Sequence, residues 1–146
     1  MGEQIDMDVP NCSECGALSH DGLTCRERFH ALLAMEGQDP ELASRHFLTV
    51  ACYNLQHPSQ FAPEAIDGLR ISLKGFLDGT MAIEEIRRRT SAEYDGQKKV
   101  LRPAWRQQVI LNIWKMTTAD VYRPFQPRGT ADRVKQWAES ILLEIP

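Results

Sequence analysis

No stretch of this 146-residue chain approaches the roughly 18–20 consecutive apolar residues that a membrane-spanning helix needs, so no transmembrane anchor is expected. The opening Met1-Gly-Glu-Gln-Ile-Asp-Met-Asp is acidic, whereas a secretory leader is basic and then apolar. Met1-Gly2 invites myristoylation, but that motif wants Ser or Thr where Asp6 stands. A cytoplasmic setting is the resulting expectation. Also missing are a His-Glu-x-x-His pair, a glycine-rich phosphate loop, a nucleophile elbow and any internal repeat, so no familiar catalytic motif assigns an activity. Cysteine is scarce, at four residues, and in a cytoplasmic chain stable disulfides are disfavoured.

What remains is the composition of one globular unit. With 42% hydrophobic and 25% charged residues the chain can bury a core, and its length suits a single domain. Residues 1–11 read as a flexible leader and 12–146 as one helical domain that opens on a loop over 12–25. The net charge of −3 divides unevenly: residues 1–64 hold 3 basic and 10 acidic side chains, and residues 65–146 hold 14 and 10. An anionic partner should therefore meet the C-terminal half.

Apolar periodicity makes the fold mainly α, a small helical bundle. Phe29, Leu32 and Leu33 share a stripe that starts at Cys25 and ends before Gly37. Asp39-Pro40-Glu41 supplies an N-cap, a first-turn proline and a first-turn acid for a helix running from Pro40 to about His57, where Pro58 stops it. Ala65, Ile66, Leu69, Leu73 and Phe76 mark a third helix that closes at Asp78-Gly79. Thr80 opens a fourth through Ile86, Thr117–Val121 makes a single turn, and Thr130–Leu143 makes the last helix. Between them, Lys99-Val100-Leu101-Arg102 and Val109–Trp114 are rich in β-branched residues, which predicts a short β-hairpin over 98–114.

Residues 11–24 have loop composition and too few apolar side chains to hold themselves in place. Three thiols, Cys12, Cys15 and Cys25, fall in or beside this loop, and a Cys-x2-Cys turn lets two thiolates reach one ion, with Gly16 easing the chain past the second. Zinc is the expected cofactor, clipping the loop. A tetrahedral shell needs a fourth ligand, and two histidines compete for it. His20 completes Cys-x2-Cys-x4-His-x4-Cys, the spacing of a zinc knuckle. His57 enters from the second helix: if the helices flanking Gln38 form a hairpin of equal rise, Cys25 stands beside about residue 51 and His57 one or two turns further on, over the loop. His30 points about 140° away from Cys25 around the helix axis. Cys52 reads as a small buried hydrophobe.

His46, Val50, Tyr53 and His57 lie within about 60° of one another on a helical wheel. Two imidazoles and a phenol on one stripe could bind a metal or exchange protons near neutral pH, although single hydrogen-bonded polar groups at a core boundary explain them as well. A basic stretch over 87–106, with Tyr94 and Trp105 interleaved, could meet phosphates. The cysteine loop offers Ser13, Glu14, Leu18 and Asp21 instead of the aromatic platform and basic charge of a nucleic-acid-binding knuckle, so nucleic acid ranks last among the partners.

The words Cys12-Ser-Glu-Cys15-Gly16, Cys25 with Phe29-His30, and His46 to Ser59 with its Tyr53-x-x-Gln56-His57-Pro58 core resemble a bacterial family of uncharacterised small proteins, a domain of unknown function. Met116-Thr-Thr-Ala-Asp120-Val121 and Trp137-Ala138 extend the resemblance over nearly the whole chain. The resemblance implies the three cysteines and the histidines of the 40–57 helix, without a histidine at position 20, which favours His57. Phe47 stands where relatives often carry a second histidine. The expected function is a zinc-stabilised helical module that binds a protein or a small ligand. The alternatives are a metal-dependent enzyme using His57, Tyr53 and His46, and nucleic-acid binding through 87–106.

Overall fold

The computed structural model describes residues 9–93 and 101–145. Seven α-helices form among them: α1 (Cys25–Met35), α2 (Pro40–Ala43), α3 (His46–Gln56), α4 (Pro63–Leu77), α5 (Ile83–Glu93), α6 (Thr118–Val121) and α7 (Thr130–Glu144). Local chemistry fixes their starts. Thr24 and Glu27 form a reciprocal capping box on α1, Thr117 and Asp120 form another on α6, and the Asp39 carboxylate accepts from the Leu42 N–H at the start of α2. Pro63 occupies the first turn of α4, where its missing N–H costs nothing.

α3, α4 and α7 enclose the main core, with α1 and α6 packed against it. Leu32, Leu42, Leu73, Val134, Trp137 and Ile141 are all fully buried there. Each aliphatic side chain so placed contributes about 1.5–3 kcal/mol, which makes α7 the central pillar of the fold. The mainly α bundle expected from periodicity is the fold observed, and no described helix is long and apolar enough to cross a membrane.

Three details differ from the sequence reading. The single helix expected over 40–57 is broken at Ser44-Arg45, where the Ser44 hydroxyl turns back to the Glu41 carbonyl and the Arg45 guanidinium reaches across to the Ala131 carbonyl of α7. Tertiary anchoring of Arg45 thus outweighs helix continuity. The β-hairpin expected over 98–114 does not form among the described residues 101–114; positions 98–100 lie outside the described residues. Pro103 interrupts the run, and the backbone N–H groups of Asn112 and Trp114 donate to the carbonyls of Glu14 and Cys15 instead of to a partner strand. The β-rich segment is therefore a strap laid over the cysteine loop. Thr80 also sits outside α5, its hydroxyl and N–H both donating to Asp78 in an Asx-type turn. The leader, except residues 9–11, lies outside the described residues.

Candidate metal centre

The cysteine loop begins with a tight turn. The Gly16 N–H donates to the Cys12 carbonyl, the Cys12 N–H donates to the Ala17 carbonyl, and the Cys15 N–H points at the Cys12 sulfur at 3.5 Å. Gly16 holds φ +78°, a backbone conformation that favours glycine, and a Cβ there would sit 3.1 Å from Ile113 Cγ1, so that side chain would have to give by a few tenths of an ångström. The turn presents Cys12 and Cys15 on one side. Cys25, the first residue of α1, and His57, the C-cap of α3, come in from separate elements.

The three sulfurs and one imidazole nitrogen all lie within 4.8 Å of one another. Sγ of Cys15 and Cys25 are 3.4 Å apart, and Cys12 Sγ stands 3.6 Å from His57 Nε2. On a tetrahedral zinc, sulfurs sit about 3.8 Å apart and a sulfur and an imidazole nitrogen about 3.6 Å. The spacing is compatible with a metal site, and the donor set of three thiols and one imidazole is that of a soft, four-coordinate centre. His57 is oriented for this role: its Nδ1–H donates to the Tyr53 carbonyl at 2.7 Å, which turns Nε2 toward the sulfurs.

His20 does not join the group. It is exposed, while its neighbours tie the loop down: Asp21 accepts from Arg28 and from the Leu23 N–H, and the Gly22 N–H closes a turn onto Ser19. Anchoring Asp21 inward directs His20 outward. Replacing His20 by Ala should leave the metal content of the purified protein unchanged, as read by elemental analysis. Cys52 is fully buried in the main core away from the other thiols, and burial pushes its thiol up. Cys52→Ala should cost about 1 kcal/mol of stability in urea unfolding, from lost packing, with no loss of metal.

Electrostatics within the cluster are strongly coupled. Hydrogen bonds from Cys15 and Cys25 hold the Cys12 thiol well below its ordinary range against the opposing effect of burial, and His57 adds to them. The same contacts with Cys12 and Cys25, together with burial, push Cys15 up. Burial works to lower His57, but its hydrogen bonds to Cys12, Cys25 and the Tyr53 carbonyl outweigh that and push it up to about 10. Without metal the cluster thus pairs a Cys12 thiolate with a His57 imidazolium beside a protonated Cys15 thiol, and a bound cation would displace those protons.

A second set of residues holds the first, and only part of it was visible in the sequence. Arg28 is fully buried: its Nε donates to Thr118 Oγ1, its Nη1 to Asp21 and the Leu23 carbonyl, and its Nη2 approaches Cys25 Sγ at 3.6 Å. The Thr118 hydroxyl also donates to Cys25 Sγ at 3.2 Å. Gln56 Nε2 donates to the Met116 carbonyl and so fixes the strand of chain that delivers Thr118. Thr118 lies within the Met116–Val121 word singled out above. Arg28 carried no signal beyond its place three residues after Cys25.

Residues 10–145 match the pattern of a family of unknown function (DUF5946). The chain belongs to that family. All four clustered residues fall inside the matched span, so the DUF5946 region and the metal-compatible site coincide. No curated protein and no solved structure matches the chain.

The remaining sequence candidates separate into two places. His46 is exposed and pairs with Glu36, Nδ1 to Oε1 at 2.9 Å, beside an apolar cleft of about 860 Å³ between α3, α4 and α5. Tyr53 instead stacks between Phe29 and His57, with ring centroids 4.1 and 4.3 Å away, at the edge of the cysteine cluster. The stripe seen on the helical wheel is real, but its two ends serve different surfaces. In the basic stretch, Arg88 and Arg89 pair with Glu85, Arg102 donates to the Phe61 carbonyl, and Arg106 lies over Trp105; positions 94–100 lie outside the described residues.

Proposed function

We propose that this protein is a zinc-stabilised helical binding module working in a reducing, cytoplasmic setting, with Cys12, Cys15, Cys25 and His57 as the four zinc ligands. The observation that carries the reading is the closed donor set: four side chains from three separate segments converge within 4.8 Å, with Cys15 and Cys25 buried. Structural zinc takes four protein ligands, whereas catalytic zinc keeps one position for water. Zinc here ties the loop and the 112–114 strap to α1 and α3, a job the apolar side chains of the loop are too few to do.

The binding surface in this reading is the apolar cleft between α3, α4 and α5. Its walls include Phe47, Val50, Ile66, Leu69, Phe76 and Ile86, and its volume of about 860 Å³ falls in the range of small-molecule sites. The ligand class is a small apolar molecule. The metal-dependent enzyme is the second reading, favoured by a polar cleft that Tyr53 and His57 line, and opposed by the commitment of His57 Nε2 to the sulfurs and the separation of His46 from it. Nucleic acid stays last, because several cations of 87–106 are already paired. Titration of a neutral apolar fluorophore into zinc-loaded protein tests the module: saturable binding that Val50→Trp abolishes at unchanged melting temperature supports it. Binding unaffected by Val50→Trp, or none, contradicts it.

A further inference from the structure

Beside the metal centre lies a second concavity, of about 390 Å³, whose lining is mostly polar. Two helical stripes build it. On α1, Arg26, Phe29 and His30 stand at i, i+3 and i+4 and so share a face; from α3, Tyr53 and the C-cap His57 stand at i and i+4, with Asn54 beside Tyr53. The stacked rings of Phe29, Tyr53 and His57 lie between them, with interplanar angles of 6° and 27°. Ser59 and Gln60 of the following turn close one end.

Three polar groups on this wall are unspent among the described residues: Arg26, His30 and the Tyr53 hydroxyl. Arg28, two residues along α1, commits its guanidinium to Asp21, Leu23 and Thr118, yet Arg26 has no hydrogen bond or ion pair among the described residues. The same holds for the imidazole of His30, which makes only a ring contact with Phe29, and for the Tyr53 hydroxyl. Glu14 also lines the cleft, but its two carboxylate oxygens accept from the Ser59 N–H and hydroxyl, which commits that charge to the loop end. An arginine fork, an imidazole and a phenol that converge without partners are the donors that recognise an oxyanion.

We infer that this cleft is a binding site for a small molecule carrying a carboxylate or a phosphate, held by Arg26 and His30 with the Tyr53 hydroxyl as a third donor. The inference deepens the small-ligand reading by adding a second, polar site, and it rests on His57 being spent on the metal instead of on the ligand. The anion is bound by the side chains of α1 and α3 and does not enter the metal shell.

Titration of inorganic phosphate, and separately of acetate, into the zinc-loaded protein followed by amide NMR tests it and distinguishes the two ligand types. The expected result is saturable shifts at residues of α1 and the C-terminal end of α3 for at least one anion, with Kd raised about tenfold or more in Arg26→Met and raised again in Arg26→Met with His30→Ala. Arg26 and His30 are exposed, so both variants should keep the zinc content and melting temperature of the parent. No shifts at tens of millimolar of either anion, or shifts of equal midpoint in Arg26→Met, would overturn the inference. Zinc content measured on the same samples separates this failure from failure of the structural-zinc reading: a fully loaded protein that binds neither anion sinks the anion site alone.

Discussion

Stripping the metal with a strong chelator is expected to lower the melting temperature of this protein by about 8–16 °C. The estimate follows from linkage: a ligand present at a thousandfold its Kd stabilises the folded state by about 4 kcal/mol, and each kcal/mol shifts the midpoint of a domain this size by about 2–4 °C. Zinc-finger peptides, which have almost no core of their own, depend on metal for about 10–16 kcal/mol. This chain should depend on it less, because Trp137, Leu73 and Ile141 sit in a core that the metal does not touch. What a metal at this site would hold is the small satellite core of Cys15, Ala17 and Cys25 with Tyr53 and Trp114 against it. Circular dichroism should accordingly show most of the helix retained at low temperature after chelation. Cys15→Ser should reproduce the loss of melting temperature and abolish its response to chelator. An unchanged midpoint in both experiments would mean that packing alone positions the loop.

Arg28→Met is expected to cost about 3 kcal/mol in urea unfolding, within the range for removing one member of a buried ion pair. A zinc held by three thiolates and a neutral imidazole would carry a net charge of −1, and the Arg28 guanidinium, with Nη2 3.6 Å from Cys25 Sγ, is the buried cation that would face it. Methionine fills the stem but leaves that charge uncompensated and removes the donors to the Thr118 hydroxyl and the Leu23 carbonyl. Metal affinity should fall about 10–100-fold, the usual penalty for removing a partner of a ligand. Asp21→Asn should cost much less, because the Asp21 side chain retains 19% exposure and water can replace its partner. A loss below about 0.5 kcal/mol for Arg28→Met would place it with ordinary surface substitutions and would contradict its role here.

The sequence made legible whatever local chemistry decides. Asp39-Pro40 starts a helix because its cap and fixed φ act within one turn, and Thr117-x-x-Asp120 caps another for the same reason. The convergence of Cys12, Cys15 and Cys25 could be read from spacing, and a hairpin register was enough to bring His57 over the loop, although the true chain breaks at Ser44-Arg45 on the way. Long-range anchors escaped. Arg45 breaks its helix to reach the Ala131 carbonyl, and Asn112 and Trp114 pair with the cysteine loop, partners 86, 98 and 99 residues away in sequence. Arg28 gave no signal because nothing in a local window shows that Thr118, 90 residues on, will meet it. His20 and His57 both stood open as the fourth ligand, because spacing carries no information about which way a loop residue points once Asp21 is anchored.

Elemental analysis of the protein purified without added metal tests the account most directly. One zinc per chain is predicted for the parent and for His20→Ala, and none for Cys15→Ser; a parent protein that carries no stoichiometric metal, or one that keeps its zinc when Cys15 is replaced, would contradict it.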